Sequence, residues 1–250
     1  MSEPPATAPS AEQGEPFEQP GRLPAWLPAV LATLYDGYAG HDPQAASGWA
    51  RRLADLLSAP GASLPFSVVH DWQVRTVLPM LADAGLGEAD GLRQLHARAA
   101  AGEQVREADW RAALEPALHQ LYRHAYGYAE AYASAHASAS AYAQANNFSE
   151  QGAVSFADSY AATSTDSNRR SFAESNAVAN AAVLATAYAS GDPQDYAEAY
   201  PFALARACAQ AWANAAGRTE AQPADQDRLR RLAYTRLAEG LADSCAARIG

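Results

Sequence analysis

The sequence predicts an all-α protein, a multi-helix array or bundle of about eight or nine helices in which Ala-rich helices pack closely. Alanine, the best intrinsic helix former, fills about a quarter of the 250 positions. Apolar residues recur at steps of three and four along most of the chain, as on an amphipathic helix. No segment carries the β-branched, alternating pattern of a confident strand.

Three parts of the chain differ in composition. Residues 1–22 are rich in Pro, Glu, Gln and Ser and predict a disordered, acidic tail. Residues 23–104 predict an N-terminal helical subdomain, and residues 105–250 predict an Ala/Tyr-rich helical subdomain. We expect these two subdomains to form one continuous fold.

Helix-start signals and apolar stripes place the first helices. Residues 23–38 carry an amphipathic stripe, and Asp42 followed by Pro43 predicts the cap and first residue of a second helix. A third helix covers residues 66–85, where Pro79 should cause a kink. The inward-facing residues predicted in this region are Trp26, Leu27, Val30, Leu31, Leu34, Tyr35, Tyr38, Trp49, Leu53, Leu56, Leu57, Val69, Trp72, Val77 and Leu81.

A short helix ending at Gly102 precedes a long helical stretch that opens near Val105 and carries Trp110. Pro116 predicts an interruption of this stretch, unless the helix starts there. Tyr128 to Asn146 reads YAEAYASAHASASAYAQAN, with alanine at every odd position from 129 to 145. Strict alternation suggests a strand, but a strand of this length would far exceed the usual five or six residues. The tract is therefore predicted to be a helix.

The last third of the chain continues in the same style. We expect a helix over residues 150–163, a polar loop at TSTDSN (163–168), and a further helix that ends at Gly191. Asp192 and Pro193 predict another helix start, Pro201 a kink, and Pro223 the approximate start of a final helix.

Charge argues against a protein that coats phosphate backbones. The net charge is −10, and all 18 basic residues are arginine. Binding to nucleic acid needs concentrated positive charge, so a nucleic-acid partner is not expected. The one local alternative is the basic cluster Arg228, Arg230 and Arg231, which would serve a DNA-repair or regulatory accessory factor.

Known catalytic and metal-binding patterns are not found in the sequence, so no cofactor, metal site or catalytic residue is predicted. Glu115 and His119 are four apart, whereas a di-iron bundle uses Glu-x-x-His on two helices. His70 and Asp71 fit a helix start better than a catalytic dyad. Cys208 and Cys245 lack CxxC spacing, which favours reduced thiols in a cytoplasmic protein. The sequence shows neither a membrane-spanning run nor a signal peptide.

A tyrosine-lined helix face is the candidate binding surface. Tyr128, Tyr132 and His136 are spaced by four on the predicted helix, and Tyr142 lies on the same broad side. Tyrosine suits both helix–helix cores and wet interfaces, so ordinary packing is the alternative interpretation. As a binding surface, the face indicates a protein partner, because aromatic residues are enriched at protein interfaces.

The segments HDWQVRTVLPML and LHARAAAGEQVREADWRAALEPA, followed by an Ala/Tyr-rich helix, resemble a loose group of bacterial Ala-rich helical proteins. Some members of this group are described as putative immunity proteins of toxin–immunity systems. The resemblance covers about residues 67–146, and its most specific features are the AAAGE turn and Trp110. It implies a helical fold without catalysis that acts by binding a partner protein.

The sequence thus supports three functional hypotheses. The first is a non-enzymatic helical binding protein, of immunity type or stress-related, that acts through the tyrosine face. The second is a small-molecule-binding protein or all-α enzyme with a pocket between Ala-rich helices. The third is the nucleic-acid accessory factor, and self-assembly into a homo-oligomer is a further expectation.

Overall fold

The structure, a computed structural model, describes residues 23–86, 90–216 and 223–249. All regular structure within these residues is helical, so the all-α prediction is confirmed. The tail predicted at residues 1–22 lies outside the described residues.

The helices follow one another with short connections. They are α1 (Leu27–Ala39), α2 (Pro43–Ser58), α3 (Ser67–Trp72), α4 (Leu78–Asp83), α5 (Asp90–Ala100), α6 (Glu107–Ala125), α7 (Tyr128–Ala145), α8 (Glu150–Ser190), α9 (Pro193–Glu198), α10 (Pro201–Ala216) and α11 (Pro223–Arg248). The two predicted aspartate caps are confirmed: Asp42 accepts a hydrogen bond from the N–H of Ala45, and Asp192 accepts one from Gln194. Gly191 ends α8 in the left-handed conformation, also as predicted.

A π-helical turn, Gln73–Val77, joins α3 to α4 without a break. Pro79 follows directly and lacks the N–H that an α-helix would use. A π-turn widens the helix by one residue, so it offers a way to accommodate the proline ring. The predicted inward residues of this helix are confirmed, since Val69, Trp72, Val77 and Leu81 are all buried.

One hydrophobic core draws on both predicted subdomains, and α11 contributes Ala233, Leu237, Ala238, Leu241 and Cys245 to it. The indole N–H groups of Trp49 and Trp72 donate to the carbonyls of Ala238 and Leu237 on α11 at 2.8 and 3.0 Å. Gly37 lets α1 approach α11 closely, because a Cβ there would overlap the ring of Tyr234. The core therefore fixes α1, α2 and α3 around α11.

The interruption predicted at Pro116 is wrong, since α6 runs unbroken through this residue. Proline removes one helical hydrogen bond and crowds the carbonyl four residues earlier, here that of Ala112. Both residues are exposed, so water can reach the freed carbonyl. Buried Trp110, Leu114 and Leu118 hold the helix to the core on either side of the proline.

The polar loop predicted at residues 163–168 is also wrong, because α8 is one helix of 41 residues. The hydroxyls of Thr163, Ser164 and Thr165 donate to backbone carbonyls one turn earlier, at 2.6–2.9 Å. These bonds satisfy side chains that would otherwise compete with the helix. Thr165 is also fully buried, so packing favours the helical state at this point.

At Pro201 the chain breaks rather than kinks. Helix α9 ends at Glu198 and α10 begins at Pro201, with Ala199 and Tyr200 between them. Tyr200 adopts a positive φ of 51°, which is unusual for a bulky residue.

A ridge of small residues runs along α8 and organises the helices around it. Nearly every fourth residue is buried and small, and we call this line the packing ridge. Its members are Ala153, Ala157, Ala161, Thr165, Ala173, Ala177, Ala181 and Ala185. On α7 the buried residues Ala135, Ala139 and Ala143 repeat the same spacing. Methyl-sized side chains on both helices allow the backbones to approach closely, as in packing of ridges spaced by four.

Helices α6 and α7 lie end to end along α8, and Arg169 occupies the junction between them. Arg169 continues the spacing of the packing ridge but is large and charged. Its guanidinium donates to the carbonyls of Tyr126 and Arg123 at 2.9 and 3.1 Å, at the C-terminus of α6. The C-terminal end of a helix carries partial negative charge, so a cation at this position is favourable. We call residues 128–168, which comprise α7, the turn after it and the first part of α8, the arm.

Replacing a buried alanine of α7 that faces the packing ridge should destabilise the arm, and an exposed alanine two residues away provides a matched control. Ala139→Leu inserts bulk between α7 and α8, where Ala139 is only 5% exposed. We expect a loss of about 1–3 kcal/mol and faster hydrogen exchange in α7. Ala137→Leu, at an exposed position, should change stability by less than about 0.5 kcal/mol. Equal effects of the two substitutions would contradict this packing.

Candidate functional site

Three of the four residues predicted to form the binding face come together on α7. The ring centroids of Tyr128 and Tyr132 are 6.1 Å apart, and those of Tyr132 and His136 are 6.3 Å apart, in both cases stacked. His136 also places Nε2 3.2 Å from the Asp158 carboxylate of α8. Tyr128, Tyr132 and His136 are called the tyrosine stack below.

Tyr142 does not join the tyrosine stack. Its ring lies 6.0 Å from that of Phe156 on α8, and Phe156 also contacts Phe148 and Tyr160 at 5.6 and 6.2 Å. These four residues form a second aromatic group beside the turn between α7 and α8, which we call the tip cluster. The sequence did not indicate this cluster, because three of its residues lie beyond the tract of alternating alanines.

Four aromatic side chains of the arm are widely exposed. The exposed fractions are 46% for Tyr128, 58% for Tyr142, 45% for Phe148 and 43% for Tyr160. The arm can leave these rings outside because its two helices meet through alanine. Its rings are thus not needed to fill a core.

The arm carries negative charge only. Between Arg123 and Arg169 the sequence has no arginine or lysine, whereas it has four acidic residues, Glu130, Glu150, Asp158 and Asp166. At the base of the arm, the guanidinium of Arg169 lies 5.9 Å from the ring centroid of Tyr128. The tyrosine stack therefore already accepts one cation from within the chain.

The alternative nucleic-acid residues do not form a shared cationic surface. Arg228 lies 3.9 Å from Asp225, and Arg230 pairs with Asp227 at 2.6 Å. Arg231 donates instead to the carbonyl of Gly40. Each guanidinium is engaged by a separate partner within the protein.

The polar residues considered for catalysis are likewise dispersed. Glu115 and His119 line a groove of about 790 Å³ between α6 and α8, together with Arg123, Arg170 and Glu174. Asp71 pairs with Arg248 at 2.9 Å and lies 3.5 Å from Arg75, so it does not act with His70. The described part of the chain contains no cluster of three or more His, Cys, Asp or Glu side chains suited to hold a metal ion.

A buried histidine pair was missed by the sequence reasoning. Nδ1 of His70 on α3 lies 2.9 Å from Nδ1 of His96 on α5, so one ring donates and the other accepts. Trp110 stacks on His70 with centroids 5.5 Å apart, and Tyr188 packs against both histidines at 5.3 and 4.9 Å. These four residues, from four helices, are called the histidine node. Its signal in the sequence was the spacing of four between buried Leu92 and His96.

The histidine node is electrically neutral at neutral pH. Burial lowers the pKa of His70 to about 4, and burial together with the adjacent His70 lowers the pKa of His96 well below its usual value. The indole N–H of Trp110 is buried here without a hydrogen-bond partner. The node is closed to solvent, and its rings pack α3, α5, α6 and α8 against one another.

Comparison with known protein families, with curated proteins and with solved structures found no similar protein. Among the described residues, no helix is both long and apolar enough to cross a membrane.

The histidine node should make folding stability fall as pH falls. In the unfolded chain both histidines take up protons near pH 6.5, whereas the native node resists protonation until a much lower pH. The stabilisation is therefore complete above about pH 6.5 and is lost towards pH 4. At pH 5 we expect a loss on the order of 2 kcal/mol per histidine.

Denaturant unfolding followed by circular dichroism between pH 7.5 and 4.5 measures this effect. His41→Gln, at an exposed position away from the node, is the control for the loss of a histidine as such. A free energy of unfolding that stays constant or rises between pH 6.5 and 5 would contradict the assignment.

Proposed function

We propose that this chain is a cytoplasmic, non-catalytic binding protein that engages a basic protein segment through its arm. The bound segment would present arginine or lysine together with apolar side chains. The cytoplasmic assignment is supported by Cys208 and Cys245, which are both free thiols.

The positions of the exposed apolar side chains support this proposal. Among the described residues, all ten exposed large hydrophobic side chains fall between Tyr126 and Tyr200, and five of them lie on the arm: Tyr128, Tyr142, Phe148, Val154 and Tyr160. Exposed aromatic groups of this kind mark interaction surfaces in proteins that otherwise bury such residues. Tyrosine is also among the residues that contribute most energy at interfaces.

The charge of the arm determines the class of partner. Carboxylates and tyrosine rings both attract guanidinium groups, the former by ion pairing and the latter through cation–π contact. The contact between Arg169 and Tyr128 is an example within the chain. A partner rich in acidic groups, including nucleic acid, would meet repulsion from the arm and from the net charge of −10.

The proposal is compatible with the immunity-type or stress-related role implied by the resemblance over residues 67–146. In that case the partner would be a basic surface that the arm covers. A second copy of this chain is a less suitable occupant, since two arms would bring eight carboxylates together without a single arginine from residues 124–168.

Two synthetic amphipathic peptides test the partner class. They share a leucine face, and their polar positions are arginine in one and glutamate in the other. We expect the arginine peptide to bind the full chain, with an affinity that falls as salt is raised, as measured by fluorescence anisotropy. The double variants Tyr128→Ala/Tyr132→Ala and Tyr142→Ala/Tyr160→Ala should each weaken binding at least tenfold while helicity persists.

Val183→Ala serves as the matched control, because Val183 is exposed on α8 outside the arm. It should bind like the wild type. Equal binding of the two peptides, or unchanged binding by both double variants, would refute the proposal. Dimerisation that is lost in the double variants would assign the arm to a second copy of the chain instead.

A further inference from the structure

A groove of about 420 Å³ lies where α6, α8 and α10 meet, at the base of the arm. Four aromatic side chains line it, and so do three amides. The aromatic residues are Tyr122, Tyr126, Phe172 and Tyr200, and the amides are Asn176, Asn180 and Gln210. None of the lining residues is charged. We call this site the amide groove.

The asparagine amides are held in fixed orientations. Nδ2 of Asn176 donates to the carbonyl of Phe172 at 2.8 Å, and Nδ2 of Asn180 donates to the carbonyl of Asn176 at 2.9 Å. Each bond uses one of the two N–H groups of the amide nitrogen and orients the amide, and each Oδ1 atom can act as an acceptor. Because the two residues are one turn apart on α8, the groove has two acceptors in a row.

Gln210 is fixed in the same way on the opposite helix. Its Nε2 donates to Oδ1 of Asn214 at 3.0 Å, and its Oε1 accepts from Arg230 at 3.4 Å. Asn214 donates in turn to the carbonyl of His124 at 2.8 Å. This chain of hydrogen bonds ties the C-terminal end of α6 to α10, so the wall of the groove is preorganised.

Tyr200 is held beside the groove in a strained conformation. Its φ of 51° is costly for a residue with a bulky side chain, and Pro201 restricts it further. The ring is 62% exposed and meets Phe202 edge-on with centroids 5.9 Å apart, so packing does not account for the strain. Strained residues of this kind cluster at ligand-binding sites.

The geometry points to a binding site for a small, neutral, polyhydroxylated ligand, of the chemical class of a hexose or disaccharide. The apolar C–H face of a sugar ring can lie on the aromatic side chains, while its hydroxyls donate to the two asparagine oxygens. The volume falls within the usual range for small-molecule sites, about 300–1,000 Å³. This site is separate from the surface proposed to bind a basic segment and does not depend on it.

The lining disfavours other classes of ligand. The lining residues include no arginine to bind an anion and no carboxylate to bind a metal ion. A quaternary ammonium ion could lie among the rings, but it has no hydrogen to donate to the asparagine oxygens. The pairing of acceptors with aromatic faces therefore favours a hydroxyl-bearing ring.

Saturation-transfer NMR with the full chain tests the site. The probes are glucose, galactose, N-acetylglucosamine, maltose and trehalose, with choline and free arginine as the cationic alternatives. We expect at least one sugar to receive saturation at its ring C–H protons. Tyr200→Gly removes the ring and the strain together, and Asn180→Leu removes one acceptor at similar volume. Each should weaken binding at least tenfold.

Val183→Ala, which is exposed on α8 and does not line the amide groove, is the matched control and should bind the sugar like the wild type. Tyr200→Gly should keep or raise the melting temperature, because glycine adopts this φ without steric cost. If packing of the Tyr200 ring stabilised the protein, its removal would instead lower the melting temperature. The inference is overturned if no sugar binds, if only choline or arginine binds, or if either groove variant leaves sugar binding unchanged.

Discussion

The packing ridge of α8 is the constraint on which the rest of the structure depends. Because four residues span 400° on an ideal helix, a stripe at every fourth residue advances about 40° per turn. One straight partner helix cannot follow such a stripe along 41 residues. The chain supplies two shorter partners, α6 and α7, and Arg169 satisfies the carbonyls exposed where they meet. The same ridge thus explains the length of α8, the break at Gly127 and the position of the arginine.

The ridge also gives the two ends of α8 different surroundings. At the C-terminal end Tyr188 is buried in the histidine node, where neutral aromatic rings join four helices. At the N-terminal end the buried contacts to α7 come from alanine, and Tyr142, Phe148 and Tyr160 of the tip cluster remain exposed. The buried aromatic core and the exposed aromatic rings therefore lie at different halves of one helix. The amide groove lies between them, beside the junction at Arg169.

Much of the fold was predictable, because the signals for it are local. The length of the alternating tract excluded a strand, and Asp42, Asp192 and Gly191 marked helix ends correctly. The continuity of α8 was not predictable from TSTDSN, since hydroxyls that favour turns in isolation bond back to the helix once packing holds it. In the candidate site, spacing located the tyrosine stack but not the tip cluster or the histidine node. The tip cluster and the histidine node depend on contacts between segments that are distant in sequence. In the same way, the alanines at 137 and 139 are identical in sequence, but only Ala139 packs against another helix.

A distance across the middle of α8 tests the central claim most directly. Spin labels at Val154→Cys and Val178→Cys would occupy two exposed positions on either side of residues 163–168, while Cys208 and Cys245 are buried. A continuous helix places these backbone positions about 36 Å apart, since each residue adds about 1.5 Å. Double electron–electron resonance should then give one narrow distribution near that value. A broad distribution, or a separation well below it, would show that α8 is broken and that the ridge does not run its length.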